Sequence, residues 1–292
     1  MQLEPFEVQT GQLKIAGLRN NTKRGLPIIA LHGWLDNAAS FEPLSAFIET
    51  DRPFYAIDLP GHGYSEHRPD SSSYHLLDNI VDVLAFLEAI HSDEGGANDN
   101  QGHKATLIGH SLGGVIATLV AAASPEHVDQ LILLDSMGPL TDEIEAVLPQ
   151  LRKAVSKALN LSSNKTVFPD LDMAIRARML GIGKLSREAA TLLVNRGIKQ
   201  VEKGFSWRSD PKLLKPSFLR LSEQQVEVIF AGIECPVKLL TGSEGYFSNE
   251  QALRKRMPYF TNIEHRSVQG GHHFHMDGDV ESTARYVNEF IR

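Results

Sequence analysis

Gly109-His110-Ser111-Leu112-Gly113 sets a serine between two glycines, behind the apolar run Ala105–Ile108 and ahead of the small-residue stretch Gly114–Ala123. A strand that turns this abruptly into a helix strains the backbone at the serine, and the flanking glycines let helix and strand approach closely. The hydroxyl then stands above the sheet edge at a helix N-terminus, where developing negative charge is favoured. That is the placement of an acyl-transfer nucleophile. The alternative is a glycine-rich strand–helix turn with a capping serine.

A serine hydroxyl needs a base. The chain has twelve histidines, and His272 stands out because it follows Gly270-Gly271, the last expected strand (Glu264–Val268) and precedes the last expected helix. That places it on a loop at the carboxyl edge of the sheet, the edge that also carries Ser111. His273 and His275 are neighbours expected to pack or hydrogen-bond; a metal site built from His272-His273-Phe274-His275 lacks a matching carboxylate pair or second cluster, so no metal is expected. The base in turn needs an acid to fix its tautomer and stabilise the imidazolium. Asp135 ends the run Leu131–Leu134, Glu244 follows Lys238–Thr241, and both could reach a histidine at that edge. Backbone N–H donors for an oxyanion are expected from Leu112, directly after the serine, and from Trp34 in His32-Gly33-Trp34, whose indole would wall the pocket.

The elements needed to position these groups are visible. Ile28–Leu31, Phe54–Ile57, Lys104–Gly109, Gln130–Asp135 and Val237–Thr241 are short apolar runs closed by Gly, Pro or Asp, the pattern of strands buried on both faces of a parallel sheet. Residues 5–18 alternate as two antiparallel edge strands. Residues 74–90 place Leu77, Ile80, Val81, Leu84, Leu87 and Ile90 at helical spacing, and residues 112–123 and 279–291 are also expected helices. Strand and helix alternate, so the fold class is α/β, a mostly parallel, doubly wound sheet. The alternation stops near residue 137 and resumes near 236. Between them the spacing predicts helices at 142–159, 171–181, 186–203 and 222–231 and no strand, a helical insertion. The expected organisation is a core of residues 1–136 and 236–292 with a helical cap at 137–235. Residues 92–103 are polar, rich in turn formers and expected as an exposed loop.

With 292 residues, 42% hydrophobic and 22% charged, the chain can bury a sizeable core, which excludes disordered, collagen-like and coiled-coil classes. A net charge of −7 offers no basic excess for nucleic acid or an anionic membrane. The single cysteine, Cys235, cannot close an intrachain disulfide and is expected as a small buried hydrophobe. No secretory signal, transmembrane run or lipidation motif is visible, so a cytoplasmic location without membrane insertion is the expectation. Nothing in the sequence speaks to oligomeric state.

Taken in order along nearly the whole chain, these segments resemble the α/β-hydrolase superfamily. His32-Gly33-Trp34 is similar to its oxyanion loop, and Asp58-Leu59-Pro60-Gly61-His62-Gly63-Tyr64-Ser65 to its Asp-x-Pro-Gly-His-Gly-x-Ser turn. Gly109–Gly113 is similar to the nucleophile elbow, and Gly271–Asp277 to the segment holding the catalytic histidine, which selects His272 over His273. The Gly204–Asp210 segment and the Gly-His-His-x-His ending resemble the serine-hydrolase-like proteins. The family usually sets its acid three residues after the glycine ending its seventh strand; that glycine is Gly242 and the position holds Gly245. Some relatives place the acid at the end of strand six instead, so the resemblance favours Asp135, with Glu244 the alternative.

The resemblance implies a serine hydrolase that cleaves a small carboxylic ester or thioester through Ser111, His272 and Asp135, without cofactor or metal. Family members acting on haloalkanes or epoxides use aspartate at the elbow, and a serine there implies acyl transfer. Two alternatives stay open. One is carbon–carbon hydrolysis of diketone-type acids, with Arg176, Arg178 or Arg208 holding the substrate carboxylate; the other is a non-catalytic ligand receptor. Leu148, Leu151, Met173, Met179, Leu180 and Leu193 of the insertion are candidates for an apolar acyl pocket.

Overall fold

In a computed structural model that describes residues 1–93, 103–160, 166–248 and 250–291, eight strands form one sheet in the order β1-β2-β4-β3-β5-β6-β10-β11. They are β1 (Glu4–Gln9), β2 (Lys14–Arg19), β3 (Ile28–Leu31), β4 (Phe54–Ile57), β5 (Ala105–His110), β6 (Val128–Leu134), β10 (Val237–Glu244) and β11 (Ile263–Gly271). β1 and β2 are antiparallel, as the alternation at residues 5–18 predicts, and β2 meets β4 antiparallel; from β4 to β11 every pairing is parallel. The apolar runs at β3, β4 and β5 are buried throughout, because helices cover both faces. Strand order reverses between β3 and β5, so the loops following these two strands open side by side at the carboxyl edge, where ligand crevices form in such sheets.

One face is covered by α2 (Asp78–Asp93) and α3 (Leu112–Ala123), which contribute Val83, Phe86, Ile116 and Val120 to the core. The other is covered by α1 (Glu42–Ser45) and α9 (Val280–Ile291), with Leu44, Ala284, Val287 and Ile291. The helix α8 (Glu250–Arg256) lies between β10 and β11 in the chain. The polar loop expected at residues 92–103 falls largely on 94–102, outside the described residues.

Between β6 and β10 the structure departs from the all-helical expectation. The helices α4 (Val147–Leu159), α5 (Leu171–Met179) and α6 (Arg187–Gly197) are present, but β7 (Val167–Phe168), β8 (Ile198–Val201) and β9 (Gly204–Trp207) form a three-stranded antiparallel sheet. The helix expected over 186–203 stops at Gly197, and the chain turns back through Glu202-Lys203 into a hairpin, with Gly204 at φ +130°. Ile198, Val201, Phe205 and Trp207 are strand formers whose signal is hidden by the preceding helical period. Asp170 and Ser186 cap α5 and α6 by accepting from Met173 and Ala189 N–H groups. Their apolar sides, with Phe168, Leu193 and Val194, make a separate small core that also takes in Met276 of the loop following β11. The last helix of this region, α7 (Glu223–Ala231), belongs elsewhere: it carries a capping box from Ser222 and Gln225 and buries Val226 and Phe230 in the main core beside α3. Cys235 is partly buried, and burial pushes its thiol up to about 11, which leaves it protonated at neutral pH. Among the described residues, no helix is long and apolar enough to cross a membrane.

Candidate active site

Ser111 sits between β5 and α3 with φ 50° and ψ −115°. Its N–H donates to the Leu134 carbonyl at 3.1 Å, and its carbonyl accepts the Ser136 hydroxyl at 2.7 Å. The strained turn is therefore held by the neighbouring strand end. The flanking glycines are required by contact as well as by conformation. A Cβ on Gly109 would run into the backbone of Gly113 and Gly114, and one on Gly113 into the carbonyl of Leu31 at the end of β3. That second contact brings the first turn of α3 against the loop after β3. The N–H of Leu112, in that first turn, has no intrahelical acceptor, and Trp34 lies in the loop alongside. Among the described residues, four non-glycine positions have positive φ, namely Leu35, Ser111, Asp135 and Lys184. The first three stand in the loops following β3, β5 and β6, and Lys184 follows a glycine packed on the His272-His273 pair. Strain of this kind persists only where surrounding contacts impose it.

His272 is buried, and its Nδ1 lies 2.6 Å from Asp135 Oδ2. The Asp135 carboxylate also accepts from the N–H groups of Tyr246 at 2.8 Å and Gly242 at 3.3 Å. Its own N–H donates to the Leu240 carbonyl at 2.8 Å. The acid of β6 is thus pinned to the loop that follows β10, its parallel neighbour. With Nδ1–H committed to Asp135, Nε2 of His272 is left as the proton acceptor. The Tyr246 ring covers the imidazole, centroids 4.0 Å apart and planes inclined by 30°. Glu244, the alternative acid, is exposed at the end of β10 and aligned with Gly271.

The Trp34 indole does more than wall a pocket. It is 37% exposed, and its indole Nε1 donates to the Leu213 carbonyl of the insertion at 3.1 Å. His32 is buried with Nδ1 donating to its neighbour's carbonyl, Gly33 O, and Nε2 accepting from Leu59 N–H, so it shapes the loop as a neutral ring; burial lowers its pKa despite the pull of Asp58. The Asp58–Ser65 turn is likewise architectural. The Asp58 carboxylate accepts from Ala38 and Tyr64 N–H groups and from Arg196 of α6, and Gly63, at φ 48°, leaves room for it.

The His272-His273-Phe274-His275 segment finds a carboxylate that residue spacing does not disclose. Asp36, four residues beyond His32, is buried and accepts from His273 Nε2 at 3.1 Å. Arg178 of α5 donates to its other oxygen at 2.6 Å. Burial alone would raise the Asp36 carboxyl, but His273, Arg178 and His110 hold it well below the usual carboxylate range. Donor atoms of Asp36, His110 and His273 lie within 4.8 Å of one another, a spacing compatible with a metal ion, yet the cation against this carboxylate is the Arg178 guanidinium. His275 packs against Phe41 and His110, and burial keeps it neutral.

The insertion residues expected to line an apolar pocket divide into two groups. Leu193 is buried in the insertion's own core, and Met179 packs against that core. Leu148, Leu151, Met173 and Leu180 are exposed. Arg176 pairs with Asp172, Arg178 with Asp36, and Arg208 donates to the Ile198 carbonyl and stacks on Tyr64.

The sequence pattern of the alpha/beta hydrolase fold matches residues 27–279. The chain is 30% identical over 289 residues to human serine hydrolase-like protein 2, covering 92% of this chain and 88% of that one. A hypothetical protein of Pseudomonas aeruginosa superimposes with a TM-score of 0.89 at 34% identity, covering 99% of each chain. The thioesterase domain of the curacin biosynthetic pathway superimposes with a TM-score of 0.80 at 21% identity, a likeness of fold alone.

Proposed function

The chain belongs to the α/β-hydrolase family, and from that premise we propose that it is a serine hydrolase cleaving carboxylic esters, thioesters included, through an acyl-enzyme on Ser111. The observation that carries the reading is the His272–Asp135 contact, made between the segments that follow β11 and β6 at the same carboxyl edge of the sheet as the strained Ser111 turn. Asp135 holds the tautomer in which Nε2 of His272 can take the Ser111 proton, and it stabilises the resulting imidazolium. Ser111 Oγ attacks the acyl carbonyl, and the N–H groups of Leu112 and Trp34 receive the developing oxyanion. His272 returns the proton to the leaving alkoxide or thiolate. Water activated by His272 then releases the acid and restores the hydroxyl. Every step uses protein groups and water, so the reading calls on no cofactor. The exposed apolar side chains of the insertion, Leu148, Leu151, Met173 and Leu180, favour an apolar acyl group, with residues 137–235, apart from the core-bound α7, as the cap that selects it.

Diketone-acid hydrolysis would need a cation for the substrate carboxylate, and each arginine considered for that task is already engaged by the protein. The ester reading is tested by labelling the wild-type protein and Ser111→Ala with a fluorophosphonate, followed by a panel of nitrophenyl esters of increasing chain length. Stoichiometric labelling lost in Ser111→Ala is expected. An unlabelled wild-type protein would instead indicate a binding scaffold.

A further inference from the structure

The segments after β3, β5 and β11, the last two carrying Ser111 and His272, come together around one buried side chain, which also meets a residue of the insertion. Asp36 follows the proposed oxyanion donor Trp34 by two residues, and its N–H closes a turn onto the Gly33 carbonyl at 3.1 Å. Its carboxylate accepts from His273, the neighbour of His272. His110, the neighbour of Ser111, lies with Nδ1 3.9 Å from Asp36 Oδ2 and donates through Nε2 to the His272 carbonyl at 2.9 Å. Asp36 therefore borders all three loops, which arrive from strands β3, β5 and β11. The insertion completes the arrangement. Arg178 donates to Asp36 and, through Nη1, to the Ile182 carbonyl. The loop it thereby shapes brings Gly183, at φ 77°, onto the His272 and His273 rings, where a Cβ would lie 2.5 Å from His273 Nδ1.

We propose that Asp36 is a positioning residue for the reaction at Ser111, and that the insertion takes part in catalysis by supplying Arg178 as the charge that keeps Asp36 ionised and in place. This rests on the Ser111–His272 reading above. A carboxylate buried to this degree is costly unless paired, and hydrogen bonds to it are stronger than neutral ones. A neutral residue at 36 could keep the turn but would hold the His273 ring, and with it the His272 backbone, less firmly. Displacements well below the size of an atom at such sites cost large factors in rate. The insertion's small core also takes in Met276 of the histidine loop, a second contact that ties the two together.

The experiment compares fluorophosphonate labelling rates per folded molecule, and kcat and KM on a short-chain nitrophenyl ester, for wild type, Arg178→Gln, Arg178→Lys and the double variant Asp36→Asn/Arg178→Gln. Removing Arg178 alone strands a buried carboxylate, so Arg178→Gln should melt lower and label at least tenfold more slowly. The double variant should recover melting temperature, because no charge is left unpaired, but not labelling rate; its defect should lie in kcat with KM within about threefold. Arg178→Lys should recover part of the labelling rate. If a folded variant lacking the pair labels at the wild-type rate, or the loss only tracks the unfolded fraction, the pair is structural and the proposal is overturned. A wild-type protein that labels at Ser111 while all variants match it overturns this inference alone. A wild-type protein that does not label overturns the ester reading and this inference together.

Discussion

The Asp135 carboxylate occupies the space that a side chain at position 245 would need: a Cβ on Gly245 would lie 2.5 Å from Asp135 Oδ1. Position 245 is where the family pattern sets its acid, and here a carboxylate reaching over from the end of β6 fills that space. The two solutions are sterically exclusive. Asp135→Asn should therefore lower turnover by roughly 10⁴-fold, the scale of the corresponding exchange in a serine-protease triad, while exposed Glu244→Gln should stay within about threefold. Gly245→Ala should cost at least tenfold by displacing the carboxylate. Steady-state rates on one nitrophenyl ester decide this; a Glu244→Gln defect as large as that of Asp135→Asn would remove Asp135 from its role.

The elbow separates activity from stability. Ser111→Ala and Ser111→Gly should both abolish turnover, but glycine relieves the strained φ of 50°. The glycine variant should be about 1 kcal/mol more stable than the alanine variant, within the usual cost of such conformations. Urea denaturation of both would show it, and equal midpoints with equal slopes would mean the turn stores no strain.

Stability should fall on mild acidification. His32, His62, His110 and His275 are buried, and burial lowers each pKa, that of His62 to about 3. Between that range and the ordinary value near 6.5, the unfolded chain binds protons that the folded chain refuses, so stability is complete above about pH 6.5 and drops below it. Each ring contributes up to about 1.4 kcal/mol per pH unit. Asp82, raised to about 6 by burial despite the pull of Arg68, works in the opposite direction and offsets one of the four. Unfolding free energies at pH 7.5, 6 and 5 should decline steadily; a flat profile would mean these rings are protonated in the fold.

Substitutions in the insertion should sort by exposure. Leu193→Ala, in the insertion's core, should destabilise by about 2–4 kcal/mol. Leu148→Ser and Leu151→Ser, at exposed sites, should change stability by less than about 0.5 kcal/mol yet lower activity on long-chain esters more than on short ones. Unchanged chain-length profiles for both serine variants would remove α4 from substrate selection.

Local pattern was enough for the parts of this protein whose geometry is set by neighbours in the chain. The apolar runs ending at Leu31, Ile57 and Leu134 form strands because only a doubly covered sheet buries such runs. Gly109–Gly113 reads as an elbow because a serine between glycines joins an apolar strand to a small-residue helix, and His272 reads as the base because it follows the last strand. What tertiary structure decided depends on pairs far apart in sequence. The sequence favours Asp135 over Glu244 but leaves both within reach of the edge; which carboxylate meets His272 follows from β6 lying beside β10, where the Tyr246 and Gly242 N–H groups donate to Asp135. Asp36 carries no motif signal, and its partners His273 and Arg178 come from segments 237 and 142 residues away. The hairpin at Ile198–Trp207 was hidden because a strand of four residues offers too short a period to outweigh the helix before it. Amphipathic α7 was legible as a helix, but its period names only the buried side and not the neighbour, α3, that covers it. Sequence period specifies which face of an element is apolar, and the path of the whole chain specifies what that face meets.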